Sequence, residues 1–210
     1  GIRYSKLTSS IDSQAQQCSD FLRRNFTSSN DFIIKLNSIL EDLIFLPDTS
    51  NRFERAVKKI AFLIGFISQR PESEFGKGPD VLWGVGQLNY YVIECKNGAT
   101  TDLIKKHDCD QLSGSMNWFN QNYDTTCKAT PILIHPTNVF EKHGSPHLET
   151  MVMTKDKLLE LKKSLFAFAK ALSHTGNFCD PKLIQNNLLH FDFISDNFLA
   201  KYTVKYKMQS

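Results

Sequence analysis

Asp80, Glu94 and Lys96 are the residues of this chain whose types and spacing point to chemistry. The segment Tyr90-Tyr91-Val92-Ile93-Glu94-Cys95-Lys96 has the composition of a strand. A strand alternates its side chains, so Glu94 and Lys96 share one face while Ile93 and Cys95 take the other. The run from Asp80 to Val85 reads as a second strand, and Gly84-Val85-Gly86-Gln87 as the turn that joins the two into a hairpin. A pivot near Gln87 sets residue 81 against 93 and Asp80 against Glu94, with Cβ atoms about 5 Å apart. Two carboxylates facing each other in a sheet repel unless something positive lies between them. Their hard oxygens suit Mg²⁺, with Mn²⁺ as a substitute, because Mg²⁺ binds through one or two carboxylates together with water and phosphate oxygens. Lys96 then lies where a cation can orient the attacking water and offset charge that develops on a phosphate.

The elements that must hold these residues are legible around them. Apolar residues at helical spacing predict two helices between about Ile11 and Leu46, closed by Pro47. A third starts near Asn51, with Phe53, Val57, Ile60 and Ile64 on one stripe and Gly65 at its end. Phe66 to Arg70 is a candidate first strand. After the hairpin come a helix from about Leu103 to Asn120, a strand at Pro131 to His135 and another at Met151 to Met153. Thr154 caps a long helix with Leu158, Leu161, Leu165, Phe168 and Leu172 on its inner stripe, ending before Gly176. The tail from Asp180 to Met208 is amphipathic and leaves helix and strand both open. The organisation expected is one α/β domain: a helical extension over residues 1–48, a core over 49–175 and a C-terminal extension over 176–210.

Gly78-Pro79-Asp80, then thirteen residues, then Glu94-Cys95-Lys96, resembles the Pro-Asp…Glu-x-Lys signature of the restriction-endonuclease-like nucleases. The order of elements from Asn51 to His135, about 85 residues, is similar to that superfamily's shared core of helix, three-stranded meander, helix and further strand. The resemblance implies a mixed central sheet flanked by helices and Mg²⁺-dependent hydrolysis of DNA, in restriction, antiviral defence or repair. It implies the main-chain carbonyl of Cys95 as a further metal ligand and Glu54 as an extra acid that binds a second metal through water. It matches Gln111 to a polar residue on the following helix. Dimerisation is expected for double-strand cutting, and a fused or associated helicase or other ATPase is a common companion.

Each of these residues also has a plainer reading. Asp80 after Pro79 suits a turn, and Glu94 with Lys96 suits a solvated strand face. Asn51-x-x-Glu54 is close to a capping box, in which the glutamate returns to the helix start. Gln111 suits an ordinary helix surface, one turn after His107. His143 and His147 have the spacing of a zinc pair, but Gly144 and Pro146 argue for a loop. Lys58, Lys59, Lys77, Lys105 and Lys106 surround the site in sequence and are the expected phosphate-binding cations, ahead of Lys155, Lys162, Lys163 and Lys170 on the later helix.

Composition bounds the alternatives. Of 210 residues 41% are hydrophobic and 22% charged, as in ordinary folded proteins, and no apolar run approaches the roughly 20 residues of a membrane-spanning helix. Five widely spaced cysteines without a Cys-x-x-Cys pair fit free thiols in a cytoplasmic setting. The net charge of +3 is too small to identify a partner. Gly1 in place of an initiator methionine is expected of a piece of a larger parent. Two further functions stay open: a nucleic-acid-binding or assembly module that keeps the fold without cleaving, and a hydrolase of small phosphoesters.

Overall fold

The computed structural model describes all residues from Gly1 to Ser210. Its elements run α1 (Gln14–Asn25), α2 (Ser29–Glu41), α3 (Ser50–Leu63), β1 (Ile67–Gln69), α4 (Pro71–Phe75), β2 (Val81–Gly86), β3 (Asn89–Cys95), α5 (Lys106–Asn122), β4 (Lys128–Ile134), β5 (Val139–Phe140), β6 (Met151–Met153), α6 (Lys155–Ser173), α7 (Pro181–His190), α8 (Ser195–Tyr202), β7 (Val204–Lys205) and β8 (Lys207–Met208). A mixed six-stranded sheet in the order β1-β2-β3-β4-β6-β7 forms the centre, antiparallel through β1, β2 and β3, parallel from β3 to β4 to β6, and antiparallel again at β7. The chain is therefore α/β with a mixed central sheet flanked by helices, as expected.

Period-two alternation sorts the layers. Val81, Trp83, Val85, Tyr91, Ile93, Cys95, Ile132 and Ile134 join the larger core, which the apolar stripes of α1, α2, α3, α6, α7 and α8 cover. Leu82, Tyr90, Val92, Leu133 and Val152 face the other way, onto Cys109, Leu112, Met116 and Phe119 of α5. Asp80 and Glu94 have the parity of this second face, so the alternation that builds the sheet also aims both carboxylates at α5.

The hairpin pairs Val81 with Ile93, Leu82 with Val92, Trp83 with Tyr91 and Gly84 with Tyr90, the register read from the sequence. The chain reverses at the expected pivot, but the strand runs further into the glycine segment than expected. Gly84 and Val85 belong to β2, and the reversal falls at Gln87 and Leu88, both with positive φ, preceded by a bulge between Gly84 and Gly86. The bulge takes up the irregularity on the turn side, leaving the register toward Asp80 undisturbed. Gly84 is needed within the strand instead: a Cβ there would lie 2.8 Å from Cγ1 of Ile67 on the neighbouring β1.

Helix α1 begins at the cap Ser13, whose hydroxyl accepts from the Gln16 N–H, and α6 begins at the expected cap Thr154. Gly65 ends α3 with φ of 86°, and a Cβ on it would lie 2.1 Å from the carbonyl oxygen of Gln14. Gly65→Ala is accordingly expected to destabilise the fold by at least about 2 kcal/mol, from left-handed strain plus that collision. Chemical denaturation measures it, and a loss below about 0.5 kcal/mol would mean that the α1–α3 junction yields freely. The tail resolves into α7 and α8 followed by short strands, and Ile184, Leu188, Phe193, Phe198 and Tyr202 are buried in the larger core. No helix is long and apolar enough to cross a membrane, and all five cysteines are free thiols.

Candidate functional site

At one end of the β2–β3 hairpin, a cavity of 250 Å³ is lined by Glu72, Gly78, Asp80, Glu94, Lys96, Gln111, Gly114, Ser115 and Trp118. Asp80 and Glu94 are 8% and 5% exposed. Oδ2 of Asp80 accepts the Cys95 N–H at 2.8 Å, which fixes this carboxylate against the end of β3. Glu94 accepts from the Ser115 hydroxyl. Burial, then the charge of Asp80 and hydrogen bonding to it, push the Glu94 carboxyl up to about 9, so the metal-free pair holds a proton at neutral pH. The Lys96 ammonium donates to Oε1 of Gln111 and lies 3.7 Å from Asp108. Asp80, Glu94, Lys96 and Gln111 thus meet in one place, from two strands and a helix.

Helix α5 presents a single stripe to this cavity. Gln111, Gly114, Ser115 and Trp118 recur at helical spacing, so one face holds Lys96, orients Glu94, leaves an opening and then supplies an aromatic wall. Ser115 and Asp108 lie on the turns flanking Gln111 and were missed in the sequence, although their spacing from Gln111 was the available signal. Glu72 was missed as well. It sits on α4, a single turn marked by Pro71 at its start and left-handed Gly76 at its end. Partial burial and a hydrogen bond to Asp80 raise the Glu72 carboxyl, making it a third acid beside the pair.

Glu54 takes neither of its two expected roles at the helix start or in the cavity. Helix α3 begins at Ser50 after Thr49 without a side-chain cap, and Glu54 instead accepts from the guanidinium of Arg70 at 2.7 Å. That guanidinium also donates to Oδ1 of Asn51 at 3.0 Å. Glu54 remains close enough to Asp80 for burial and the Asp80 charge to raise its carboxyl, but it is not among the cavity-lining residues. The capping box fails because the helix starts at Ser50, one residue before Asn51, so Asn51 is not the cap and Glu54 lies beyond the N3 position.

The five expected phosphate-binding lysines are not one free set. Lys58 is paired with Glu74 at 2.5 Å and Lys106 with Asp110 at 2.6 Å. Lys59 lies elsewhere, lining a hollow with Phe21 of α1, Phe26 just after it and Ile39 of α2. Lys77 and Lys105 are exposed, in the loop before Asp80 and at the start of α5. Lys162 on α6 donates to the carbonyl of Leu43 at 3.0 Å, a structural bond. His143 and His147 are exposed loop residues.

Although Glu72 adjoins Asp80 and Glu94, no three side chains among His, Cys, Asp and Glu are arranged as a metal cage. Mg²⁺ does not require one, since it commonly uses one or two carboxylates and keeps its waters. Asp80 and Glu94 are two buried carboxylates that interact directly and raise the Glu94 carboxyl, and hard oxygen donors of this kind are the type Mg²⁺ takes. The donor set fits a hard ion. The Cys95 thiol is buried in the larger core, with its titration pushed well above the ordinary value by burial and neighbouring carboxylates, and is not a donor to the cavity. Comparison of the chain with protein-family models, with curated proteins and with solved structures found no match.

Proposed function

We propose that the chain is a Mg²⁺-dependent nuclease with a restriction-endonuclease-like core, hydrolysing phosphodiester bonds of DNA. The observation that carries this reading is the convergence of Asp80, Glu94 and Lys96, the residues of the Pro-Asp…Glu-x-Lys resemblance, with Gln111 in one cavity. The order α3, β1, β2, β3, α5, β4, with the one-turn α4 between β1 and β2, is similar to the core which that resemblance implies.

In this reading Asp80 and Glu94, with the Cys95 carbonyl, hold the cation, which supplies Lewis-acid polarisation and a more acidic water when bound. Asp80 is preoriented by the Cys95 amide and Glu94 by Ser115, so neither has to be ordered at the moment of reaction. Gln111 and Asp108 keep the Lys96 ammonium extended into the cavity, where it positions the attacking water and meets charge developing on the phosphate. Lys77 and Lys105 are the free cations available to the flanking backbone. Restriction, antiviral defence and repair, a homodimer and an associated ATPase belong to the same reading as expectations of the resemblance.

One observation favours a silent DNA-binding or assembly module instead: every functional group of the site already has a protein partner, and no metal cage is formed. Supercoiled plasmid incubated with the protein and Mg²⁺, with and without EDTA and beside p-nitrophenyl phosphate, separates the readings. Nicking that EDTA abolishes, without turnover of the small ester, is the expected result. Turnover of the ester alone would make the site a small-molecule phosphatase, and no turnover of the ester with no cleavage of plasmid or single-stranded DNA would leave the silent module.

A further inference from the structure

Trp118 is the one apolar residue lining a cavity otherwise made of charged, polar and glycine residues. The hydrophobic interior of α5 is filled by Cys109, Leu112, Met116 and Phe119, whereas Trp118 is half-buried and turns toward the cavity beside Ser115. Its place is fixed from two sides. Gly78, with φ of 112°, lets the loop before Asp80 come against the indole, since a Cβ at Gly78 would lie 2.9 Å from Cε2 of Trp118 and 2.8 Å from Cβ of Pro71. Tyr4 packs edge-on to Trp118 with ring centroids 4.8 Å apart. Tyr4 is itself anchored, its hydroxyl bonded to Gln69 at 3.0 Å and to the Tyr123 hydroxyl at 2.6 Å. One turn before Trp118, Gly114 has no neighbour within 4 Å of where its Cβ would be, so the stripe is open between the indole and Gln111.

A rigid aromatic wall beside a gap, about 10 Å along the helix from the residue that holds Lys96, is the arrangement of a stacking platform. We propose that Trp118 stacks on an unpaired nucleobase next to the phosphate attacked at Asp80, Glu94 and Lys96, so that the substrate is single-stranded or frayed DNA. The proposal rests on the nuclease reading and narrows its substrate. In an intact duplex each base is already stacked and paired, and reaching an indole at the cavity wall requires unstacking it, which an unpaired strand does without that cost. Tyr4 and the Gly78 loop pack against the indole and hold it in place, and Gly114 leaves room for the base.

Indole fluorescence tests this in EDTA, where binding is read without cleavage. The only other tryptophan, Trp83, is buried against Phe66, Tyr91 and Phe198, so quenching reports on Trp118. A single-stranded oligonucleotide is expected to quench it and to bind about tenfold more tightly, or better, than a blunt hairpin of the same length. Binding of Trp118→Ala, followed by the anisotropy of labelled DNA after circular dichroism has verified its fold, should lose that preference, and Trp118→Phe should keep most of it. Equal affinity for the two DNAs, absence of quenching, or a single-strand preference that survives Trp118→Ala overturns the proposal. Mg²⁺-dependent plasmid nicking is scored separately: nicking with no role for Trp118 removes the platform and leaves the nuclease, whereas no nicking on any DNA removes the nuclease.

Discussion

Glu94→Gln is expected to make the metal-free protein more stable than the wild type at pH 8 while abolishing its Mg²⁺ binding. Burial and the facing Asp80 hold the Glu94 carboxyl at about 9 in the folded chain, against an ordinary glutamate value of 4.5. Between those values the folded state carries a proton that the unfolded state has released, so wild-type stability falls as pH rises through this window. Thermal unfolding in EDTA should therefore show the wild-type Tm dropping between pH 5 and pH 9 (a window of roughly 4 units set by the Glu94 shift), with the Glu94→Gln curve flatter by that contribution. Mg²⁺ competes with the same proton, so its wild-type affinity should increase with pH by up to about tenfold per unit across the window. Parallel Tm curves for the two proteins would place the proton, and the electrostatic strain, elsewhere.

How much of this was readable in the sequence depends on the range of the forces involved. The register that sets Asp80 against Glu94 was legible because strand alternation is local and the core punishes a one-residue slip, which would turn Trp83 and Ile93 out of the larger core. The pivot near Gln87 was legible with it, but the extent of the turn was not, because the reversal uses Gln87 and Leu88 with positive φ where glycine is the usual signal, and the glycine at 84 serves a close strand contact. Gln111 was found through the resemblance, and the rest of its stripe follows from helix geometry. Glu72 and the Arg70–Glu54 pair were invisible for a different reason. A one-turn helix has no periodicity to detect, and nothing local says that a buried guanidinium will reach back to α3.

Lys96→Ala should reduce plasmid cleavage by at least about 100-fold while leaving the fold and most Mg²⁺ affinity in place. Lys96 is not a ligand. Its removal relieves repulsion of the ion, and lowers the charge that Gln111 and Asp108 now hold in the cavity, but leaves the water and the developing phosphate charge unassisted. Asp80→Ala differs in kind, because it removes charge that binds the cation and the acceptor of the Cys95 N–H, so metal binding and cleavage are lost together. The most direct measurement is the nicking rate of wild-type and Lys96→Ala protein on the same plasmid at saturating Mg²⁺, with metal occupancy of both followed by calorimetry. Cleavage by the wild type, and equal occupancy with cleavage at least about 100-fold slower in Lys96→Ala, is the result predicted for a catalytic cation at this position. Equal cleavage rates at equal occupancy would contradict a nuclease centre built on Asp80, Glu94 and Lys96.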